Sequence, residues 1–399
     1  MKVVVAIDSL KGSLSSLQAG NAIRKGILCA IPEAEVCIRP VADGGEGTVE
    51  ALVLGMNGHI ETITASDPLG RPTDCSYGIL ADNRTAIIEM AAASGLTLLS
   101  PDERNPLHTT TYGVGELIYD AISKGCRRFI IGIGGSATND GGIGMLQALG
   151  YGILDKNGCQ VPLGAAGLKE IERITDTSVI PELKECHFRI ACDVNNPLCG
   201  PNGCSSVFGP QKGADTDMVS QMDQWLKNYA SICTQSFPHA DAEFPGTGAA
   251  GGLGFAFLTF THSVLESGIK IVLEETGLEN YIREADIVIT GEGCLDAQTV
   301  MGKAPVGVAR IAQKYSKPVI AFAGCASEDA ALCNEHGIHA FFPILQRIST
   351  LNDAMTPAVA AQNLSDTAEQ VFRLISTFLL AISPPHAPLT PNHLNPYMK

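Results

Sequence analysis

Five stretches of this chain mix glycine with ionisable or hydroxyl side chains, a combination suited to holding an anion beside a reacting group. The densest is Gly132-Ile133-Gly134-Gly135-Ser136-Ala137-Thr138-Asn139-Asp140-Gly141-Gly142, which follows the apolar run Phe129-Ile130-Ile131. Glycine lets main-chain N–H groups approach a ligand closely. Ser136, Thr138 and Asn139 add hydrogen-bonding groups, and Asp140 has the chemistry to hold a divalent cation. A tight turn between packed elements is the alternative use of the same residues.

The other four stretches supply charge. In Asp8-Ser9-Leu10-Lys11-Gly12-Ser13-Leu14-Ser15, Asp8 closes an apolar run, Lys11 offers a point charge to phosphate or carboxylate, and Ser13 or Ser15 suits a helix cap. Asp43 and Glu46 bracket the turn Asp43-Gly44-Gly45-Glu46-Gly47. They have the chemistry to bind a metal or orient a hydroxyl, and equally to favour a helix dipole. Asp193, in Ala191-Cys192-Asp193-Val194-Asn195-Asn196-Pro197, is placed to take a proton from an attacking hydroxyl or to ligate magnesium, with Lys212 of Phe208-Gly209-Pro210-Gln211-Lys212-Gly213 balancing its charge. An Asp-x-Asn turn explains part of that pattern without catalysis. In Thr290-Gly291-Glu292-Gly293-Cys294-Leu295-Asp296, Glu292 and Asp296 could meet a metal-nucleotide while Lys303, shortly after, meets phosphate. A further glycine-rich stretch, 246–254, offers main-chain donors or close helix packing.

These loops need strands and helices to present them. Strand-like and helix-like patterns alternate at 3–7, 15–30, 35–40 and 47–54. They alternate again at 287–290, 305–315, 318–322, 328–336, 341–342 and 366–381, as expected for a parallel sheet. Between them, glycine-rich turns such as Asp67-Pro68-Leu69-Gly70-Arg71-Pro72 mark a different texture. The expected architecture is therefore α/β: a Rossmann-like parallel-sheet domain from residues 1–60 and 280–382, a second α/β domain inserted at 61–279, and the ligand cleft between them. Residues 383–399, proline-rich with His386 and His393, read as a disordered tail.

The charge excludes some partners. Lys and Arg number 27 against 42 Asp and Glu, a net charge of −15 that repels nucleic acid and anionic membrane surfaces. An anionic ligand must be met by a locally positive pocket. Thirteen scattered cysteines without a C-x-x-C pair read as reduced thiols rather than a disulfide framework or zinc site. With no signal-peptide pattern and no membrane-length apolar run, a cytoplasmic location is expected. A homo-oligomer is compatible with the composition. There is no P-loop, since Gly302-Lys303 is followed by Ala304, and no H-R-D, D-F-G, H-E-x-x-H or G-x-S-x-G. One competing pattern is present: Gly132-x-Gly134-x-x-Ala137, with Asp155 further on, satisfies a dinucleotide fingerprint and would suit an NAD-dependent oxidoreductase of a small hydroxy acid. Gly141-Gly142 interrupt the helix which that reading requires.

Taken together, residues 8–15, 42–48, 134–142, 208–213 and 291–299 resemble the motifs of the bacterial glycerate kinase family, of the type similar to glycerate 2-kinases, and the resemblance extends over about residues 1–380. It implies phosphorylation of D-glycerate by ATP with magnesium, giving 2-phosphoglycerate. On that implication the ATP phosphates face Gly134, Gly135, Ser136, Thr138 and Asn139, with Lys11 or Lys303 nearby and Glu292 at the nucleotide. Magnesium sits on Asp193 or Asp296, and Arg71 or Lys212 holds the glycerate carboxylate beside Asp43 and Glu46. Asp193 is the expected proton acceptor and Asp8 its alternative. Cys294 stands where the family motif commonly has arginine, and Asn195 where it commonly has threonine. A sugar-acid-binding relative without catalysis is the other reading that Cys294 leaves open.

Overall fold

The computed structural model describes residues 1–45 and 47–382; Glu46 and the expected tail at 383–399 lie outside the described residues. Its strands are β1 (Lys2–Val5), β2 (Glu35–Ile38), β3 (His59–Ser66), β4 (Pro72–Ile79), β5 (Thr85–Glu89), β6 (Arg128–Gly132), β7 (Gly152–Leu154), β8 (Arg173–Thr175), β9 (His187–Ala191), β10 (His262–Glu266), β11 (Ile287–Leu295), β12 (Val319–Ala326) and β13 (Ala340–Pro343). Two sheets carry the architecture, and β7 and β8 form a small antiparallel pair of their own.

The first sheet has the order β13-β12-β11-β1-β2, and every neighbouring pair is parallel. In β1 and the residues after it, Val3, Val5 and Ile7 enter one apolar cluster while Val4 and Ala6 enter another. A strand buried on both faces needs such an unbroken apolar run. The helices Ser16–Ala30 and Pro357–Ile382 cover one face, and Gly268–Glu275, Leu278–Glu284 and Ala304–Lys314 cover the other. The chain enters this sheet at β1, moves outward to β2, then returns on the other side through β11. Open sheets bind ligands where the winding direction reverses in this way, outside the carboxyl ends of the two strands. Here that point lies between β1 and β11.

The second sheet has the order β10-β9-β6-β5-β4-β3, parallel from β10 to β5 and antiparallel from β5 to β3. Ile88, Phe129, Ile131, Phe188 and Ile190 point into its own large core. On the opposite face Ile87, Ile130 and Ala191 join Val4, Ala6 and Val288 of the first sheet in a single cluster. The two sheets therefore share an apolar layer, and the carboxyl ends of β5, β6 and β9 face the segment that follows β2. Contact there is close. A Cβ on Gly132 would lie 2.5 Å from the Gly44 carbonyl oxygen, and one on Gly44, at φ +91°, would lie 2.7 Å from Gly268 Cα. Only glycine fits either position.

Three elements differ from the sequence expectation. Strand β11 does not stop at residue 290 but runs to Leu295, pairing with β12 through Leu295–Ala326, because Gly291 lets the backbones meet where a Cβ would be 1.8 Å from the Phe322 carbonyl oxygen. The helix expected at 328–336 is a 3₁₀ turn, Glu328–Ala331, followed by one short helix, Leu332–Glu335. The last helix begins at Pro357 rather than residue 366. Proline is well placed in a first turn, where its missing N–H would have had no helical acceptor.

Candidate functional site

A cavity of about 780 Å³ opens where the sheets meet, lined among others by Lys11, Asp43, Gly134, Ser136, Asp193 and Lys212. Gly44, Gly45, Gly135 and Glu89 complete its polar wall, while Ala91, Ala92, Leu96 and Leu98 form an apolar one. Apart from Lys212, these polar groups come from strand ends and the loops that follow them. Glu89 closes β5, residues 133–136 follow β6, and Asp193 follows β9.

The floor of the glycine loop is a buried cation. Lys212 is 2% exposed; its Nζ donates to Ser136 Oγ at 2.8 Å and to the Thr138 carbonyl at 2.6 Å. No carboxylate among the described residues lies within ion-pair distance of it. Burial pulls the amine down to about 8, opposed by Cys204 and Asp140. A buried ammonium with no counter-ion is costly, and an anion seated on Gly134, Gly135 and Ser136 would relieve that cost.

Opposite the loop lies a crowd of acids threaded by lysines. Lys11 Nζ meets Asp43 Oδ2 at 2.9 Å, and Asp43 Oδ1 accepts the Gly45 N–H at 3.1 Å. Asp193 Oδ1 accepts the Gly268 N–H at 3.1 Å; burial raises its carboxyl, and Asp43 adds to the effect. Asp8, 2% exposed, accepts the Ser9 N–H at 2.7 Å. Burial and then Asp43 push the Asp8 carboxyl up to about 7, against the pull of Ser9 and Lys11. Glu292 also feels Asp43, and burial raises it as well; its Oε1 accepts the Thr299 hydroxyl at 2.6 Å. Lys303 Nζ stands 3.6 Å from Glu292 and 3.9 Å from Asp296. Asp296 is already engaged by the N–H groups of Gln298 and Thr299. Asp8, Glu292, Asp296 and Lys303 thus form a group beside the cavity lining rather than within it, held together by the Asp8 N–H, which donates to the Gly291 carbonyl at 2.9 Å.

Of the residues singled out by sequence, the cavity brings together Lys11, Asp43, Gly134, Gly135, Ser136, Asp193 and Lys212. Thr138 and Asn139 are fully buried beneath the loop, where Asn139 Nδ2 donates to Ser205 Oγ at 2.8 Å. Their side chains do not reach the cavity. Asp140 is completely buried and accepts the N–H groups of Thr111, Gly142 and Gly144 and the hydroxyls of Thr111 and, at 3.5 Å, Thr110. It holds the loop's shape. Arg71 is outside the lining, its Nε on Asp67 and its Nη1 on Glu103, each at 2.6 Å. Glu46 lies outside the described residues. The stretch 246–254 serves mainly as close packing: a Cβ on Gly251 would lie 2.1 Å from the Thr138 carbonyl oxygen. Only Ala249 and Ala250 of that stretch line the cavity.

Sequence reasoning missed Glu89, whose Oε1 accepts the Val49 N–H at 2.9 Å. The signal was present, because Thr85-Ala86-Ile87-Ile88-Glu89 ends an apolar strand on an acid, as Ile7-Asp8 does. The dinucleotide reading fails on geometry: no helix opens within the glycine loop, and the helix Ile143–Ala148 starts only after Gly142.

Comparison with known proteins agrees with the motifs. The model of the glycerate kinase family matches residues 3–376. Glycerate kinase of Haemophilus influenzae is 47% identical over 376 residues, covering 94% of this chain and 99% of its own. Glycerate 2-kinase of Escherichia coli is 46% identical, covering 92% of this chain and 98% of its own. A crystal structure from Salmonella typhimurium LT2, that of a provisional glycerate kinase 2, superposes with a TM-score of 0.87 at 44% identity, covering 95% of this chain and 99% of that one.

Proposed function

Because the chain belongs to the glycerate kinase family, we propose that it transfers the γ-phosphoryl group of ATP to the 2-hydroxyl of D-glycerate in the cleft between the two sheets. The observation that carries the placement is the buried Lys212 ammonium under the Gly134–Ser136 backbone, facing a wall of carboxylates. Phosphoryl transfer asks chiefly for positioning and charge neutralisation. The loop N–H groups and Lys212 serve the phosphates. With Arg71 occupied elsewhere, Lys11 is the exposed cation able to take the glycerate carboxylate, exchanging it for Asp43. Asp193, which lines the cavity, accepts the hydroxyl proton. Asp8 lies beneath, where its charge orients Lys11.

Magnesium would supply neutralisation of the ATP phosphates. No cluster of three potential ligands occurs among the described residues. That suits Mg²⁺, which takes one or two carboxylates and completes its shell with phosphate and water. Asp43 beside Asp193 fits this better than Asp296, whose carboxylate is held by its own turn. The domain reading follows the same lines: residues 1–60 and 280–382 as one unit and 61–279 as the insertion, with the helix Gly268–Glu275 added to the first unit because it packs in the shared apolar layer. A cytoplasmic location remains part of this proposal; no described helix is long and apolar enough to cross a membrane.

Coupled ADP release over a panel of small hydroxy acids, with the product's phosphorylated position read by phosphorus NMR, tests the activity. Replacing Asp193 by asparagine should lower turnover with D-glycerate by at least about 10²-fold, the contribution of a positioned proton acceptor. An Asp193→Asn enzyme with most of its turnover intact would remove that assignment.

A further inference from the structure

We infer that Cys294 and Cys325 form an oxidisable dithiol that closes to a disulfide beside the acids of the cleft. The two residues are register partners on the parallel neighbours β11 and β12. Register partners in adjacent strands stand about 4.8 Å apart at Cα, inside the roughly 4.4–6.8 Å window that a disulfide spans. Their side chains lie on the same face of the sheet, and Cys325 Sγ lies 3.8 Å from the carbonyl of Gly293, the residue preceding Cys294. Cys325 is exposed and Cys294 half-buried, and both are free thiols. Small residues flank the pair, Gly293 on one strand and Gly324 on the other, so the strand ends have room to shift as the bond forms.

The position gives the bond a consequence. Side chains two apart on a strand share a face, so Cys294 shares its face with Glu292, and Asp296 and Lys303 follow directly. A disulfide there would tie the strand carrying these groups to β12.

The oxidant required is a peroxide. Exposed Cys325 attacks it through sulfur, the O–O bond breaks, and a sulfenic acid forms with release of water. The Cys294 sulfur, its proton passing to the departing hydroxyl, then displaces that hydroxyl from the sulfenic acid. The S–S bond forms and a second water leaves, so two thiols and one hydrogen peroxide give one disulfide and two waters.

The test uses the full chain treated with hydrogen peroxide and digested without reductant. A peptide pair joined through Cys294 and Cys325, lacking two hydrogens and lost with dithiothreitol, is expected. Turnover should fall by about tenfold to a hundredfold, the effect of an ångström-scale displacement of reacting groups, and return on reduction. Cys325→Ser, altered outside the cleft, keeps its basal turnover, forms no such link and resists peroxide. Two results would overturn the inference. One is Cys325 recovered unlinked under conditions that oxidise the exposed Cys29 and Cys159. The other is equal inactivation of Cys325→Ser. The link is read by mass, so its failure is distinguishable from failure of the kinase reading.

Discussion

Asp8→Asn should make the unliganded protein more stable at neutral and alkaline pH and leave it unchanged in acid. Asp8 is buried beside Asp43 with its carboxyl raised from 3.8 to about 7, so the folded chain holds this proton more tightly than the unfolded chain does. The favourable contribution of such a group is complete below pH 3.8 and is lost as pH rises to about 7. At about 1.4 kcal/mol per pH unit, that interval corresponds to about 4 kcal/mol. Asparagine keeps an oxygen for the Ser9 N–H and removes the charge. With about 2.1 cal/mol/K of unfolding entropy per residue, a chain of 399 residues shifts its midpoint by about 1 °C per kcal/mol.

The expected difference in midpoint between variant and parent is therefore near zero at about pH 4, grows as pH rises, and levels off near 4 °C above about pH 7. Paired scanning calorimetry across that range, without nucleotide or glycerate, measures it. A difference that stays constant with pH, or that is largest in acid, would refute the claim that Asp8 carries an unrelieved buried charge. So would an asparagine variant less stable than its parent at pH 8.

Three further outcomes follow from the geometry. Lys212→Met should raise the KM for ATP by more than about tenfold, as expected for a lost charge-assisted contact. In the parent enzyme the KM for ATP should climb as pH passes about 8, where Lys212 loses its proton, whereas the methionine variant shows no such rise; initial rates across pH measure both. Arg71→Ala should leave the KM for glycerate unchanged in the same assay, because Arg71 is committed to Asp67 and Glu103 outside the cavity. Gly44→Ala should cost about 3 kcal/mol by denaturant titration, from a strained left-handed residue together with overpacking against Gly268 and Ala191.

The strands whose ends carry the site were legible because β1, β6, β9 and β11 are apolar runs that break onto glycine or acid. Buried parallel strands announce themselves in this way. What stayed hidden depended on depth rather than on type. Thr138 shares the hydroxyl chemistry of Ser136, and Asn139 and Asp140 are polar too and lie within four positions of it, yet the loop turns all three side chains inward, where Asp140 fastens five donors. Nothing in the spacing distinguishes a residue that faces a ligand from one that faces the loop's own backbone. Arg71 was similarly ambiguous until its partners, Asp67 four residues away and Glu103 more than thirty away, were seen to occupy it. The second of these is a contact between distant segments and leaves no local pattern.

Lys212 shows why the missing cation of the glycine loop could not be assigned from the loop itself. It arrives from a segment more than seventy residues downstream, on a turn after the helix Cys204–Phe208, and passes under the loop to Ser136 and Thr138. An exposed lysine on the loop would be screened by water and mobile. A buried one is neither, but it carries an unpaired charge, just as Asp193 in the opposite wall and Asp8 beside it carry charges of the other sign. Among the described residues Lys212 has no carboxylate within ion-pair distance, whereas Lys11 bridges to Asp43. A bound phosphate chain with its cation would answer both walls at once, anion to Lys212 and metal to the acids. These unpaired charges of opposite sign are thus the complement of the proposed ligand, and this is why charge-removing changes such as Asp8→Asn should stabilise the fold while impairing the site that the fold presents.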